Sequence, residues 1–367
     1  MIMKRIFLLI VSLILSGCTN RIQYYTKSFP DYLDTITTYI TYASSKDDFD
    51  KQCQYIEKRL DYYDKLFDNY HTYPSITNVM TINQNAGKKA VVVDRDLFEL
   101  LKVSKERYQS LSSQVNIAYG SVLTLWHDAR EKAGKHKNIG EPPHLETLEE
   151  ARAHTNINHV ILDENGHSVY LEDRAMSLDL GAVAKGYTME KIKQGLVKRG
   201  VKSFLLNGGG NVVGVGKRLI ASDQADYKAC KSHYCIGIAS PKDGNYASTK
   251  SDYEAVLVAD NKAVVTSGDY ERYFMDAHGN RYCHLIDPRT GYPARYMRSV
   301  TVITKDSGLA DYLSSALFLM NYEDGKKFIA ELDDVEAIWL LSDGHIVTSE
   351  GIKNKDFYVF EKERMYN

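Results

Sequence analysis

Apolar positions change period several times along the chain, and each change marks an element. Thr35–Tyr42 alternates Thr, Ile and Tyr, the period-two pattern of a half-buried strand. From Phe49 to Phe67 the apolar residues Tyr55, Ile56, Leu60, Tyr63 and Phe67 gather on one helical side, and Asp96–Ser110 forms a second amphipathic helix. Tyr187–Lys198, Ala310–Leu319 and Gly325–Leu332 also read as helices. Short strand-like runs stand at Ala90–Asp94, Val160–Leu162, Ser168–Leu171, Phe204–Leu206, Ile236–Ala239, Ala255–Val258 and Val300–Ile303, and Ser177 onward opens with another around Asp179. Arg21–Pro30 reads as a tether, and polar, Gly/Pro-punctuated Glu131–Pro143 as a surface loop. Strands without a regular βαβ series predict an α+β fold, with mixed or antiparallel sheets and packed helices, and the length points to one large domain or two closely joined lobes.

The start of the chain changes the picture. Lys4 and Arg5 precede an apolar run, Ile6–Leu15, too short to span a membrane, and small residues then lead to Cys18. Leu15-Ser-Gly-Cys18 resembles the bacterial lipobox, which implies cleavage before Cys18 and lipid on its sulfur; a plain signal peptide with a chance cysteine is the alternative. The expected organisation is a signal peptide over 1–17, a lipid-anchored tether over 18–30 and one folded domain over 31–360. The mature protein would sit on the periplasmic, extracytoplasmic side of a membrane, with the cell inner membrane expected. Removing the signal leaves 46 − 2 = 44 basic residues against 48 acidic ones, a net charge near −4 that argues against nucleic acid. Cys230 and Cys235 could form a local disulfide in an oxidising compartment, and no zinc-site spacing occurs.

The candidate chemistry sits in a few blocks. Ser177-Leu-Asp-Leu-Gly-Ala-Val-Ala-Lys-Gly-Tyr187 puts a carboxylate, small residues and Lys185 where a helix begins, a setting that favours a phosphate-bearing ligand; an ordinary turn with a solvated lysine fits the same residues. It is neither a Walker loop nor a GxGxxG fingerprint. Leu206-Asn-Gly-Gly-Gly-Asn211 marks a tight turn or a close ligand approach, and Val265-Thr-Ser-Gly-Asp-Tyr-Glu-Arg-Tyr273 sets hydroxyls and a glycine at a strand end. His284 and Asp287 precede a Pro- and Gly-shaped turn, suited to proton transfer or to holding that loop. In the predicted helix, Asp311 and Ser315 share a face beside Ser314, an all-oxygen set that suits Mg²⁺ and equally suits a solvated helix carboxylate.

Taken in order, these blocks resemble the ApbE family, the FAD:protein FMN transferases, over roughly Leu33 to Glu331. The resemblance implies Mg²⁺-dependent transfer of FMN from FAD to a threonine or serine hydroxyl of a partner protein, releasing AMP. The residue chemistry adds His284, next to Ile286, as the general base, since a neutral histidine can take the acceptor hydroxyl's proton. The flavin-nucleotide contacts the resemblance gives are Leu33, Tyr70, Gln114, Val115, Asn116, Asp179, Lys185 and Ile286, with Tyr70 stacking on a ring. The metal ligands it gives are Ala182 through its carbonyl, Asp311, Ser314 and Ser315. The implied partner carries an Asp-(Ser/Thr)-Gly-Ala-(Ser/Thr) motif on a membrane redox subunit. Asp179-Leu-Gly-Ala-Val183 echoes that motif but ends in valine, so it cannot accept FMN there. The sequence departs from the family pattern where Asp34 stands for a glycine, Asn116 for an aspartate and Ser315 for the usual threonine. An FAD pyrophosphatase and a non-catalytic FAD-binding lipoprotein are the competing readings.

Overall fold

The computed structural model describes residues 22–222, 228–239, 253–352 and 357–359. Strands β1 (Gln23–Tyr32) and β2 (Thr35–Ala43) lead to helix α1 (Lys46–Phe67), α2 (Val79–Gln84), β3 (Val91–Val92) and α3 (Arg95–Ser110). Next come α4 (Gly120–Gly134), α5 (Leu145–Arg152), β4 (Val160–Asp163), β5 (Ser168–Leu171) and α6 (Ala184–Lys198). Strands β6 (Phe204–Gly208), β7 (Asn211–Val215), β8 (Cys235–Ala239), β9 (Tyr253–Val258), β10 (Ala263–Gly268), β11 (Tyr273–Met275), β12 (Arg281–Cys283) and β13 (Met297–Thr304) follow. The described chain closes with α7 (Ser307–Phe318), α8 (Tyr322–Ala330), β14 (Glu336–Leu341), β15 (Ile346–Thr348) and β16 (Phe357–Val359).

Eight strands form the main sheet in the order β1-β2-β6-β7-β10-β13-β14-β15, every neighbouring pair antiparallel. Alternation decides its faces: Thr37, Tyr39 and Thr41 of β2 are fully buried, while Ile36 points out. Helices α1, α6 and α7 pack on the sheet, α1 against β1 and β2, α6 against β6 and β7, and α7 against β10 and β13, with α6 in contact with both other helices. Helix α1 is there because Phe49, Cys53, Ile56, Leu60, Tyr63 and Phe67 recur every three or four residues, and Ser45 caps its start by accepting from Asp48 N–H at 3.1 Å. Helix α7 is buried almost all round and forms the centre of the core. Each large side chain buried there contributes about 1.5–3 kcal/mol. A small second cluster joins α4 (Val122, Trp126) to Phe274, Tyr282 and Ile286.

Three sequence expectations need correction. Residues 23–30, expected to be tether, belong to β1, which pairs with β2 from Gln23↔Ala43 onward. It is an edge strand with a polar outer face and a buried Phe29, and Pro30 falls at its irregularity between Phe29 and Tyr32, where a missing N–H does no harm. Asp179 is not on a strand. Leu178 N–H donates to the Asn83 side chain, Asn83 Nδ2 to Leu178 O, and Asp179 N–H to Ile117 O, so this extended segment satisfies its backbone outside any ladder. The expected loop at Glu131–Pro143 begins inside α4, which runs to Gly134. Cys230 and Cys235 are disulfide-bonded. The expected signal peptide and Cys18 lie outside the described residues.

Candidate active site

Two distant blocks of sequence meet where α6 begins. Gly186 N–H, in the first turn of α6, donates to Asp311 Oδ2 at 2.7 Å. The approach needs glycine: a Cβ there would stand 2.3 Å from Ser307 O and 2.4 Å from Asp311 Cβ. Asp311 is only 4% exposed, and burial pushes its carboxyl up to about 6 against the pull of Lys185, Gly186 N–H and Asn211. Lys185 faces the same carboxylate; burial lowers its ammonium, and Asp311 opposes that. Hydroxyls surround the pair. Ser314 Oγ donates to Asp311 O at 3.0 Å and meets Ser267 Oγ at 2.9 Å, and Ser315 Oγ lies 3.5 Å from Ser267 Oγ.

His284 stands near this pair. Its N–H donates to Arg272 O, and its buried Nδ1 has no hydrogen-bond partner. Burial, then the positive charges of Arg272, Lys185 and Arg130, hold its pKa well below 6.5. The imidazole is therefore neutral. Asp179 receives Gly181 N–H at 2.8 Å and Asn69 Nδ2 at 3.2 Å; burial raises its pKa, while these donors and the charges of His127 and Arg272 oppose the rise. Asp179, Lys185 and His284 are half-buried by exposure, as cleft-lining groups are, although the packed protein removes much of their hydration. Arg272 also pairs with Asp34 at 3.4 Å, which ties the β1–β2 turn to the histidine loop.

The ApbE family profile matches residues 32–339. This chain belongs to the ApbE family. A Klebsiella pneumoniae (strain 342) protein called FAD:protein FMN transferase is 34% identical over 274 residues, 74% of this chain and 78% of that protein. A Treponema pallidum (strain Nichols) protein of the same description is 32% identical, covering 75% of this chain and 73% of its own length. The crystal structure of the ApbE protein from Thermotoga maritima superposes with a TM-score of 0.74 at 28% identity, covering 89% of this chain and 97% of that one.

Within this ApbE fold the expected residues divide. Asp179, Lys185, His284, Asp311, Ser314 and Ser315 converge as described, and Ala182 lies in the turn just before α6. Tyr70, 43% exposed, sets its ring 4.6 Å from that of His127. Burial, then the Asp179 charge, raises its hydroxyl to about 12. Leu33 sits in the β1–β2 turn with φ 53°, its N–H donating to Asp64 Oδ1 at 2.7 Å. Gln114, Val115 and Asn116 border α7 through Tyr312, whose hydroxyl donates to Ser112 O at 2.6 Å and Val115 O at 3.4 Å. Val115 is buried in the core, and Asn116 spends its amide on Thr155 O and Ala118 N–H. Of those three, Gln114 keeps an unpartnered buried Oε1. Ile286 is buried in the second apolar cluster. Asp287 is held inside its own turn by Arg289 N–H at 2.9 Å and Arg289 Nη2 at 2.8 Å.

Sequence reasoning missed Asn69, Arg130, Asn211, Ser267 and Arg272. All but Arg130 lay inside or beside motifs already singled out, and polar side chains within a glycine turn, a hydroxyl block or beside Tyr70 were the available signal. Among the described residues, no group of three or more His, Cys, Asp or Glu side chains is placed to hold a metal ion. Mg²⁺ nevertheless fits the donors present. Asp311 carries a costly buried carboxylate, hydroxyls surround it, and Asn211 Oδ1 is buried beside it without a partner. All are hard oxygen donors.

Proposed function

We propose that this protein transfers FMN from FAD to a threonine or serine hydroxyl of a partner protein and releases AMP. The neutral imidazole of His284, set among Arg130, Lys185 and Arg272 beside Asp311, carries this reading. A site with excess positive charge suits a pyrophosphate, and an uncharged imidazole suits proton removal from an alcohol. The acceptor oxygen bonds to the FMN-side phosphorus while the anhydride bond breaks and AMP departs. The hydroxyl proton passes to His284; its Nδ1 is buried, which leaves Nε2 to receive it. Lys185 and Arg272 hold phosphate oxygens in line, so catalysis here is chiefly alignment and charge stabilisation. Bound at Asp311, Ser314, Ser315 and the Ala182 carbonyl, Mg²⁺ would supply charge neutralisation at the pyrophosphate. Asp179, braced by Asn69, and Tyr70 would orient the nucleotide.

The protein would work as a lipoprotein anchored through Cys18 on the extracytoplasmic face of a membrane, where redox subunits present the acceptor motif. The Cys230–Cys235 bond supports an oxidising compartment. The test is incubation with FAD, Mg²⁺ and an acceptor domain carrying Asp-(Ser/Thr)-Gly-Ala-(Ser/Thr), followed by a denaturing gel. Flavin fluorescence on the acceptor band, lost when its last hydroxyl is removed, is expected. A dark band with intact FAD in solution would overturn the proposal.

A further inference from the structure

A second cleft, of about 400 Å³, opens between α1 and α6 and is lined by Tyr55, Lys58, Arg59, Asp96, Lys191 and Arg199. It is a different face of α6 from the flavin site. Gly186 points toward α7, while Tyr187, Lys191, Gly195 and Arg199 recur every four residues on the side turned to α1 and α3. Tyr187 Oη donates to Asp96 O, and Tyr55 lies so close that a Cβ on Gly195 would sit 1.7 Å from its hydroxyl. The Arg199 guanidinium stacks 3.6 Å above the Tyr55 ring, and that of Arg59 lies 4.3 Å from the Tyr63 ring.

Charge makes the cleft more than a groove between helices. Asp96 is the one carboxylate lining it, against four cations. Arg59 and Lys191 share Asp96 at 2.8 and 3.0 Å, and Lys191 also reaches Glu99 at 3.2 Å. Lys58 and Arg199 pair with no carboxylate among the described residues. Guanidinium groups set over tyrosine rings are positioned to meet the oxygens of a phosphate, and the volume exceeds what phosphate alone fills. The geometry points to a second anion site, in which Lys58, Arg59, Lys191 and Arg199 bind a phosphate ester on the α1–α6 face. The phosphate belongs either to a small soluble ester or to an anionic lipid headgroup.

Two arms separate these sources, both with the full chain. In the first, the flavin site is saturated with FAD in EDTA and the protein is titrated calorimetrically with sodium pyrophosphate. In the second, it is sedimented with phosphatidylcholine vesicles, with and without phosphatidylglycerol. Pyrophosphate binding that weakens about tenfold or more in Lys58→Ala/Arg199→Gln assigns a soluble ester. A preference for phosphatidylglycerol that the same double variant removes assigns a headgroup. Arg199→Lys, which keeps the charge, should retain either. An unchanged unfolding midpoint shows that the variants fold. No pyrophosphate binding and no vesicle preference, or binding in both arms that survives the double change, overturns the site.

Discussion

Replacing Gly186 by alanine probes the junction on which the site depends. The new methyl would lie 2.4 Å from Asp311 Cβ and 2.3 Å from Ser307 O. Non-bonded carbons settle at about 3.5–4.0 Å, so α6 and α7 must part by roughly 1 Å. Overpacking of this kind costs about 1–3 kcal/mol. Weakening the bond from Gly186 N–H to the Asp311 carboxylate costs a further ~1.5–3 kcal/mol, and the better helix propensity of alanine returns about 1 kcal/mol. The net loss is about 1.5–5 kcal/mol, within the stability of an ordinary domain, so the variant folds but less stably. Its transfer rate should fall about 10²-fold, because a displacement of about 1 Å misaligns Lys185 and Asp311. Urea unfolding followed at Trp126 and Trp339, with transfer measured at saturating FAD, reads both effects. A Gly186→Ala protein within about 0.5 kcal/mol of the parent and fully active would refute the reasoning.

Three further perturbations follow from the same geometry. His284→Ala should slow transfer about 10²- to 10⁴-fold at saturating FAD, and the parent rate should stay level as pH falls to about 6.5; an acidic limb at the ordinary imidazole value would contradict a neutral, shielded His284. Asp311→Ala should abolish turnover while leaving a folded protein. The parent's Asp311 pKa is raised from 3.8 to about 6, so the stability linked to its protonated form is full below 3.8 and lost, by about 3 kcal/mol, as pH rises through 6. Mg²⁺ should therefore raise the unfolding midpoint above pH 6 and scarcely below 4, and an equal effect at both would count against this carboxylate as its ligand. Asn69→Ala removes the donor that braces Asp179 and should weaken FAD binding about tenfold with an unchanged melt, as fluorescence titration would read; unaltered affinity would remove Asn69 from the site.

Much of this was legible in the chain because its signals are local. The periodicities of α1 and β2 state their own faces, and the four-residue spacing of Asp311 and Ser315 places both on one side of α7. Other features depend on partners far away in sequence. Edge strand β1 carries little alternation and exists because β2 pairs with it, and Asp179 stands on an extended segment whose hydrogen bonds run to Asn83 and Ile117. Helix α4 went unassigned although Val122 and Trp126 lie on one side, and with it went Arg130, whose charge helps to keep His284 neutral. The family motifs located Lys185, His284 and Asp311, but two of the three cations around the histidine, Arg130 and Arg272, come from α4 and from the segment after β10. Their convergence is a property of the fold and not of any motif.

Cleavage of FAD coupled to transfer is read from stoichiometry. AMP released from FAD with Mg²⁺ should be counted, with and without the acceptor domain, against flavin that stays on the acceptor after denaturation. Coupled transfer gives one AMP for each covalently held flavin and little AMP when the acceptor is absent. AMP released at the same rate without acceptor, and no flavin on the acceptor when it is present, would contradict it and leave a hydrolase of FAD.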